Sequence, residues 1–502
     1  MPAQTDRHVH EAVIVGTGFG GMGAAIALRR LGIEDIVMLD REDDLGGTWH
    51  VNRYPGLAVD IPSANYSYSF EPNPSWSRLY APGAELKAYC DHVATKYDLR
   101  RHMRFGVVVD GARWDEEERH WIVNLRSSAS GGETLTTRYL LTATGFLSQP
   151  KMPEIPGIDT FDGTVVHTAK WDDDVDLTGR RAAVIGTGAT AVQLIPEIAP
   201  KLAELTVFQR TAIWVTPKSD GPVPRRLQSL YERLPVTQRL ARGVGFGVLE
   251  ALMVAGVIKY RRFKTFNRLA EKFAKRHMAR QVRDPETRRK LTPDYSFGCK
   301  RPTFSNNYFP TFNQPHVHLE TTPIARVEPN AIVTEGGVRH EIDTLVCATG
   351  FNLWDTNFPA IEVIGREGRN LGKWWRENRF QAYEGIAVPK FPNYFSLNSP
   401  YSYSGLSYFT TIESQMKHMT RLLKAMRREG KTEFEVTEEA NAEFLARMRH
   451  KLDDTVFALG SCSTARSYYF NQHGEATLLR PTTTVSTFRE AARFPISDYA
   501  LS

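Results

Sequence analysis

Two stretches of the chain repeat one pattern of apolar and polar positions: a short apolar strand, a glycine-rich turn and an alanine-rich helix. In the first stretch, residues 11–15 favour a strand, the turn Gly-Thr-Gly-Phe-Gly-Gly occupies residues 16–21, and residues 23–31 have helical composition. A further apolar strand, residues 36–39, ends at Asp40. This order predicts a strand-turn-helix-strand unit that binds a dinucleotide, with the acid placed to bind a ribose hydroxyl.

The middle of the chain repeats this unit with one change. Residues 181–185 predict the strand, Gly-Thr-Gly-Ala-Thr-Ala forms the turn at residues 186–191, and a helix and the strand 205–208 follow. Arg210 stands where the first unit has its acid. An acid there would repel a 2′-phosphate, whereas arginine pairs with one bidentately, so the second unit favours NADPH over NADH. An ordinary surface arginine after a strand is the less favoured interpretation.

Two dinucleotide units in one chain indicate two nucleotide sites, most economically one for a flavin and one for a nicotinamide. Electrons would then pass from NADPH to FAD. The pattern assigns to the FAD site the residues Gly16, Gly18, Gly21 and Asp40. It assigns to the NADP site the residues Gly186, Gly188, Ala191, Gln193, Arg210 and Thr211.

The rest of the chain predicts an α/β fold of two Rossmann-like dinucleotide-binding domains, for FAD and NADP, with a helical insertion. Prolines 150, 153 and 156 punctuate a connection, and the strand endings at residues 140–145 and 345–350 are near copies. We predict a divided FAD-binding domain at residues 1–149 and 350–502, the second part including substrate-site loops. The NADP-binding domain is predicted at residues 150–217 and 292–349, with the insertion at residues 218–291.

The composition argues against several classes of function but does not identify one. The net charge of +6 is spread along the chain, which favours anionic ligands without indicating nucleic acid. The four cysteines lie far apart, so we expect no disulfide framework, no metal site and no flavin disulfide reductase. The polar residues 1–11 contain no apolar core of a signal peptide, which favours a cytoplasmic location.

Residues 243–258 form an apolar segment with a single charge, Glu250, and basic flanks. The segment is shorter than the roughly 20 apolar residues that a membrane span needs. A buried helix is the favoured interpretation, and a helix resting on a membrane surface is the less favoured one.

Two long motifs resemble the signatures of the Baeyer–Villiger monooxygenases, which are class B flavin-dependent monooxygenases. The run Phe161-Asp-Gly-Thr-Val-Val-His167-Thr-Ala-Lys-Trp171-Asp is similar to the fingerprint FxGxxxHxxxW(P/D). Residues 46–60, from Gly-Gly-Thr-Trp to Asp60, resemble the second signature. The order of the turns and of both strand endings extends the resemblance over essentially the whole chain.

The resemblance implies a reaction and a set of residues. Such enzymes use FAD, NADPH and O₂ to insert one oxygen next to a ketone carbonyl, through a flavin C4a-peroxide, and they form an ester or a lactone. By the resemblance, Arg301 is the catalytic cation and Asp60 its partner, while Lys300 helps to bind the 2′-phosphate and Arg301 also borders NADP. Further FAD contacts are assigned to Thr48, Trp49, Asp60 and Tyr66.

His167 and Trp171 complete the predicted catalytic group, with a conformational role that links movement of the nicotinamide domain to the flavin site. A structural histidine and a core tryptophan are the simpler alternatives for this pair. Around the site, Asn398-Ser-Pro stands where we expect a glycine before the proline, so the loop on the substrate side differs from the family pattern.

Two other functions remain open from the sequence. The first is a flavin-containing monooxygenase that makes sulfoxides or N-oxides, against which Trp171 and Arg301 weigh. The second, of another class, is a non-catalytic FAD-binding redox sensor or scaffold. The aromatic C-terminal half suggests an apolar ketone, but the sequence determines neither the ketone, the selectivity nor the oligomeric state.

Overall fold

Parallel strands of the first dinucleotide unit form the centre of an eight-stranded sheet. The computed structural model describes residues 5–127 and 131–502. Thr5–Val15 pairs in parallel with Ile36–Leu39 on one side and with Gly131–Thr142 on the other. The order across this sheet is Glu362–Ile364, Val107–Asp115, His120–Ser127, Gly131–Thr142, Thr5–Val15, Ile36–Leu39 and Met103–Arg104, with Tyr394–Ser396 also paired to Gly131–Thr142.

The second dinucleotide unit forms a separate five-stranded sheet in which every pairing is parallel. Its order is Val317–Glu320, Glu204–Phe208, Arg181–Ile185, Thr344–Cys347 and Thr164–His167. All four residues of Thr344–Cys347 are buried, because a parallel sheet is covered on both faces. The three small sheets consist of Val215–Thr216 with Thr303–Phe304, Ile324–Glu328 with Ala331–Thr334 and Arg339–Glu341, and Phe434–Val436 with Tyr499–Leu501.

Helices make up most of the segment between Glu204–Phe208 and Val317–Glu320, which also contains the paired strands Val215–Thr216 and Thr303–Phe304. The α-helices outside that segment are Phe19–Arg29, Thr48–Val51, Gly83–Lys96, Ala189–Ile198, Leu371–Asn378, Tyr408–Arg428, Glu438–Leu452, Val456–Leu459 and Thr484–Arg493. Within it are the α-helices Arg225–Arg233, Pro235–Met253, Tyr260–Gln281, Pro285–Lys290 and Tyr308–Thr311, and the π-helix Val254–Ile258. Short 3₁₀ turns lie at Ser63–Asn65, Arg100–His102, Ile158–Thr160, Thr168–Lys170, Ala199–Lys201, Arg366–Gly368 and Ile496–Asp498.

The first glycine of each turn has the same structural reason. Gly16 and Gly186 have φ of +111° and +115°, which side chains disfavour. A Cβ atom would lie 2.5 Å from the carbonyl oxygen of Ala143 at Gly16, and 2.4 Å from that of Ala348 at Gly186. Only glycine therefore lets each turn pass the end of the neighbouring strand.

The predicted fold class is confirmed: two dinucleotide units are each built on parallel strands around a glycine-rich turn, and a helical segment interrupts the second unit. In the first sheet, His120–Ser127 pairs antiparallel with both of its neighbours. The predicted strands 36–39 and 181–185 have those bounds in the structure. The chain leaves the first sheet after Thr142, builds the second, and returns to the first with Glu362–Ile364 and Tyr394–Ser396. The domain boundaries themselves stay predictions.

The interpretation of residues 243–258 as part of a buried helix is wrong. The segment belongs to the helical run Pro235–Ile258, of 24 residues, and only 17% of its most apolar window is buried. By length and composition this run could cross a membrane, so it is also longer than the sequence suggested. The reason is that the helix begins eight residues before the apolar segment.

The expectation of no disulfide is also wrong. Cys299 and Cys462 form a disulfide across 163 residues of sequence, with Cα atoms 5.2 Å apart. The backbone N–H of Ser296 donates to the carbonyl of Ser461 at 3.0 Å, which brings the two segments together. Spacing along the chain could not show this proximity.

Candidate active site

A cavity of about 1520 Å³ is lined by the carboxyl ends of strands from both large sheets. Val15 and Leu39 border it from the first sheet, and Ile185 and Phe208 border it from the second. Ligands of open parallel sheets bind at this edge of the strands. The volume exceeds the roughly 300–1,000 Å³ of a site for one small ligand, so the cavity has room for more than one.

The first turn presents backbone and an acid to this cavity. Gly18 precedes the helix Phe19–Arg29, and the free N–H groups of such a helix start bind phosphate. Asp40 accepts hydrogen bonds from the backbone N–H of Thr17 at 2.8 Å and from its hydroxyl at 2.7 Å. Gly21 does not line the cavity, because it packs so close to Gly16 that a Cβ would lie 1.9 Å from that carbonyl oxygen.

The second signature adds aromatic and polar walls beside the first turn. Thr48 and Trp49 belong to the short helix Thr48–Val51, and the ring of Trp49 lies 5.6 Å from that of Tyr66. Burial raises the pKa of Tyr66, which keeps its hydroxyl protonated. The predicted FAD residues that border the cavity are Gly16, Gly18, Asp40, Thr48, Trp49, Asp60 and Tyr66.

The second turn is open at Gly188, where a Cβ atom would meet nothing within 4 Å. Ala191 is fully buried among apolar neighbours and does not line the cavity. Gln193 does line it, but its amide joins the two units: it donates to the carbonyl of Ala58 at 2.9 Å and accepts from the Tyr54 hydroxyl at 3.0 Å. The predicted NADP residues that border the cavity are Gly186, Gly188, Gln193, Arg210, Thr211, Lys300 and Arg301.

Three cationic residues, Arg210, Lys300 and Arg466, lie at the end of the second unit. Burial and the charge of Arg210 lower the pKa of Lys300 to about 8, and burial and Arg466 lower the pKa of Arg210. All three border the cavity. Within residues 5–127 and 131–502, no carboxylate forms an ion pair with any of them. Cations held together without a counterion fit a phosphate of a bound nucleotide.

Arg301 lies on the wall of the same cavity, in contact with two other lining residues. Its Nε donates to Asp60 Oδ2 at 2.7 Å and its Nη2 to Asp60 Oδ1 at 3.0 Å, a bidentate pair. Its Nη1 donates to the hydroxyl oxygen of Tyr403 at 2.7 Å. Burial opposes the charge of Arg301, but Asp60 and Tyr403 outweigh burial and raise its pKa, so the guanidinium stays charged.

Aromatic side chains border the cavity around Arg301. The ring of Phe146 lies 5.4 Å from that of Tyr403 and 6.2 Å from that of Tyr408. The hydroxyl of Tyr408 accepts from the amide of Asn398, a residue of the divergent loop, at 2.8 Å. The sequence pattern indicated neither Phe146 nor these hydroxyl contacts. Phe146 could have been found, because it directly follows the strand ending at residues 140–145.

His167 and Trp171 do not line the cavity. Trp171 packs in the apolar core of the second unit, and His167 ends the strand Thr164–His167. Burial lowers the pKa of His167, while the backbone of Lys151 and of Gly350 close to the ring acts in the opposite direction. The geometry thus keeps both side chains away from direct chemistry, and their conformational role stays a prediction.

One further cluster has side chains that metals use. The ligand atoms of His8, His10 and Asp35 lie within 4.8 Å of one another. Both imidazoles are hydrogen-bonded to the carboxylate, at 2.8 and 2.9 Å. These bonds account for the cluster without an ion.

Comparison with known proteins settles the family. The profile of the family described as pyridine nucleotide-disulphide oxidoreductase matches residues 13–233. A Baeyer–Villiger monooxygenase of Streptomyces coelicolor is 39% identical over 499 residues, which cover 99% of this chain and 93% of the relative. This chain belongs to the Baeyer–Villiger monooxygenase family.

Solved structures of related monooxygenases share the fold of this chain over 99% of its length. Cyclohexanone monooxygenase from Rhodococcus sp. Phi1 bound to NADP⁺ has a TM-score of 0.85 at 28% identity, covering 99% of this chain and 100% of that one. The structure described as the OTEMO complex with FAD and NADP has a TM-score of 0.86 at 28% identity, with the same coverage.

The protein is an FAD-dependent NADPH monooxygenase. Its own residues fit both cofactors, since the first turn and Asp40 are arranged for a dinucleotide and the cations Arg210 and Lys300 for a phosphate. Because the chain belongs to a family of enzymes, a non-catalytic redox sensor or scaffold is not needed to explain its two dinucleotide units.

Proposed function

We propose that this monooxygenase converts an apolar ketone into an ester or lactone, with Arg301 as the charged residue at the reacting oxygen. The observation that carries the proposal is the bidentate pair of Arg301 with Asp60 on a cavity wall that both dinucleotide units share. The aromatic wall of Phe146, Tyr403 and Tyr408 supports an apolar substrate. A cytoplasmic location stays a prediction.

Arg301 supplies fixed positive charge where negative charge develops on oxygen during attack on the carbonyl. A preorganised cation at a site shielded from water stabilises such charge strongly. Asp60 holds the guanidinium in one orientation through two hydrogen bonds, and its negative charge tempers the field of Arg301. Bound FAD would accept two electrons from NADPH and activate O₂, from which the transferred oxygen atom comes.

Tyr403 orients Arg301 from the opposite side to Asp60. Its hydroxyl oxygen accepts from Nη1, so its own proton is free to donate into the cavity. Burial raises the pKa of Tyr403, which keeps that proton on the hydroxyl. Tyr403 therefore both fixes the cation and offers a neutral donor beside it.

Arg210, Thr211 and Lys300 would hold the 2′-phosphate of NADPH. The threonine carbonyl accepts from the Thr187 hydroxyl at 2.8 Å, which ties this strand end to the second turn. His167, beside the two connections at Lys151 and Gly350, would transmit movement between the units. NADP⁺ is proposed to remain bound during oxygen transfer, because its release would open the cavity to water.

Product analysis with isotope-labelled O₂ tests the reaction. The purified holoenzyme is given NADPH, a mixture of linear, cyclic and aryl ketones, and one thioether, and the products are identified by mass spectrometry. We expect labelled ester or lactone. Labelled sulfoxide without ester would instead favour the flavin-containing monooxygenase activity. If every ketone were left unchanged and the NADPH consumed only reduced O₂ to hydrogen peroxide, the proposed substrate class would be contradicted.

Tyr403→Phe should slow ester formation about tenfold to a hundredfold, because a hydrogen bond to a charged group contributes about 1.5–3 kcal/mol. More of the NADPH consumed should then appear as hydrogen peroxide. The measurement is the ratio of ester to NADPH oxidised, at saturating ketone.

Tyr408→Phe is the matched control, since its hydroxyl borders the same cavity but contacts Asn398 instead of Arg301. It should change this ratio far less than Tyr403→Phe. Equal ratios for the two variants would show that the contact with Arg301 has no catalytic weight.

A further inference from the structure

The helix Pro235–Met253, here called the insertion helix, exposes a continuous apolar ridge. Its members recur at every fourth residue and are 50–68% exposed, and contiguous exposed apolar surface of this kind marks an interaction site. They are Val236, Leu240, Val244, Val248 and Leu252. The ridge extends over about 24 Å, at 1.5 Å per residue. Leu230 and Leu234, before the helix, are also exposed.

The opposite side of the insertion helix is bound firmly to the protein. Arg242 is buried and donates to the carbonyls of Ala64 and Ser67, both at 2.8 Å. Gln238 donates to the carbonyl of Asn73 at 2.6 Å, and Glu250 accepts from the backbone N–H of Thr484 at 2.7 Å. The helix therefore has a settled orientation, and its apolar ridge points away from these contacts.

The helical segment that contains the ridge carries mostly positive charge. Between residues 225 and 283 the chain has fifteen lysines and arginines and three glutamates, although the whole chain has a net charge of only +6. Each glutamate bonds to the protein: Glu232 to the Ser75 hydroxyl, Glu250 to Thr484 and Glu271 to the backbone N–H of Phe297. Arg242 is buried, and Lys259 and Arg261 pair with Asp454. The remaining basic residues of the segment form no ion pair within residues 5–127 and 131–502, so the surface of these helices is basic.

We propose that the insertion helix docks this monooxygenase on an anionic lipid surface, with its apolar ridge in the headgroup region. An amphipathic helix with an apolar side and basic neighbours binds such an interface in its plane. The polar anchors Gln238 and Arg242 keep the helix attached to the protein, so it lies on the membrane and does not cross it.

Charge complementarity favours lipid over a second copy of the chain. A two-fold contact through the ridge would bring the basic helices of both copies together, and like charges repel. Anionic headgroups instead neutralise Lys and Arg next to the buried apolar side chains, and each basic residue near the surface adds to the attraction. The observed charge excess therefore matches a lipid surface.

Docking would bring the cavity close to the lipid. Next to exposed Leu252, Met253 turns inward, and its methyl group lies 1.7 Å from where a Cβ of Gly405 would be. Gly405 is two residues from Tyr403 on the cavity wall. An apolar substrate dissolved in lipid would thus enter near the aromatic wall.

Vesicle cosedimentation of the holoenzyme tests the docking. Phosphatidylglycerol–phosphatidylcholine vesicles should sediment the protein, and vesicles of phosphatidylcholine alone should sediment much less. Binding should weaken strongly in about 1 M salt, where the screening length is about 3 Å. Absence of binding to the anionic vesicles would overturn the proposal, as would equal binding to both kinds.

Two double variants separate the apolar and the charge contributions. Val244→Glu/Val248→Glu should lower the vesicle partition coefficient at least about tenfold, and Arg268→Glu/Lys272→Glu should weaken binding to anionic vesicles only. Val338→Glu/Val485→Glu is the matched control, since these valines are 53% and 75% exposed outside the insertion. It should bind like the wild type.

FAD content and NADPH oxidation should be unchanged in all three variants, which shows that they are folded. Sedimentation velocity without lipid gives the competing outcome. Self-association that Val244→Glu/Val248→Glu abolishes, with no vesicle binding by the wild type, would assign the ridge to a second copy and overturn the proposal.

Discussion

Arg301→Ala should reduce ester formation by about a thousandfold or more, while NADPH still reduces the flavin at a rate within a few-fold of the wild type. Removal of one donor at a developing oxyanion costs about a hundredfold to a thousandfold, and here a full charge is removed as well. Reduction precedes oxygen transfer and needs only the two cofactors in contact. Stopped-flow absorbance without O₂ measures the reduction, and product formation measures the oxygen transfer.

Arg301→Lys is the matched variant for this prediction. Lysine keeps the charge but cannot reproduce the bidentate pair with Asp60, so its activity should lie between those of wild type and Arg301→Ala. Ester formation at the normal rate in Arg301→Ala would show that another group stabilises the reacting oxygen. Loss of reduction to the same extent as ester formation would instead place Arg301 in NADPH binding alone.

Arg210→Ala and Lys300→Ala should each raise the KM for NADPH about tenfold to a hundredfold and leave the KM for NADH nearly unchanged. A charged hydrogen bond to phosphate contributes about 1.5–3 kcal/mol to binding. NADH has no 2′-phosphate, so it does not form this bond and the substitution removes nothing from its binding. Lys201→Ala is the control, because this exposed lysine of the same unit lies outside the cavity. Equal effects on the two coenzymes would remove the 2′-phosphate assignment.

The same site predicts how NADPH affinity depends on pH. The pKa of Lys300 is about 8 without an anion nearby, and a bound phosphate dianion must raise it. At pH values below its pKa in the free protein, such a group is already protonated before the ligand binds, so it contributes its full attraction to the complex. At higher pH, binding must first take up a proton, which weakens the complex. Between about pH 7, where the phosphate is a dianion, and about pH 8 the affinity should therefore be constant, and it should fall as the pH rises further.

Lys300→Arg tests this explanation, since arginine stays charged throughout and should flatten the profile. NADH should show little of this dependence in the wild-type enzyme. A fall of equal steepness for NADH, or one that Lys300→Arg retains, would assign the titration to another group.

The sequence alone determined the two dinucleotide units and therefore the fold class. Local signals suffice there: the strand, the positive-φ glycine and the helix follow one another within about 30 residues. Segments of that length were enough to predict the turns at Gly16 and Gly186, the strand ends at Asp40 and Arg210, and the family. Pattern also indicated the helical insertion, because its composition changes over a long segment.

Local pattern did not by itself separate the motif residues that border the cavity from those that do not. Gly21 and Ala191 belong to their turns but serve helix packing, and the side chains of His167 and Trp171 do not line the cavity, while their predicted conformational role stays a prediction. A sequence motif includes every residue that the local backbone structure requires. It does not distinguish a residue that supports the site from one that touches the ligand, since both depend on the same backbone.

Only the tertiary structure decided what converges from distant parts of the chain. Arg301, Asp60 and Tyr403 are separated by more than a hundred residues and meet because both units close on one cavity. The Cys299–Cys462 disulfide and the exposure of the insertion helix depend likewise on packing. Periodicity shows that a helix has an apolar side, but the apolar side is buried only if another element covers it, and that is a property of the assembled fold.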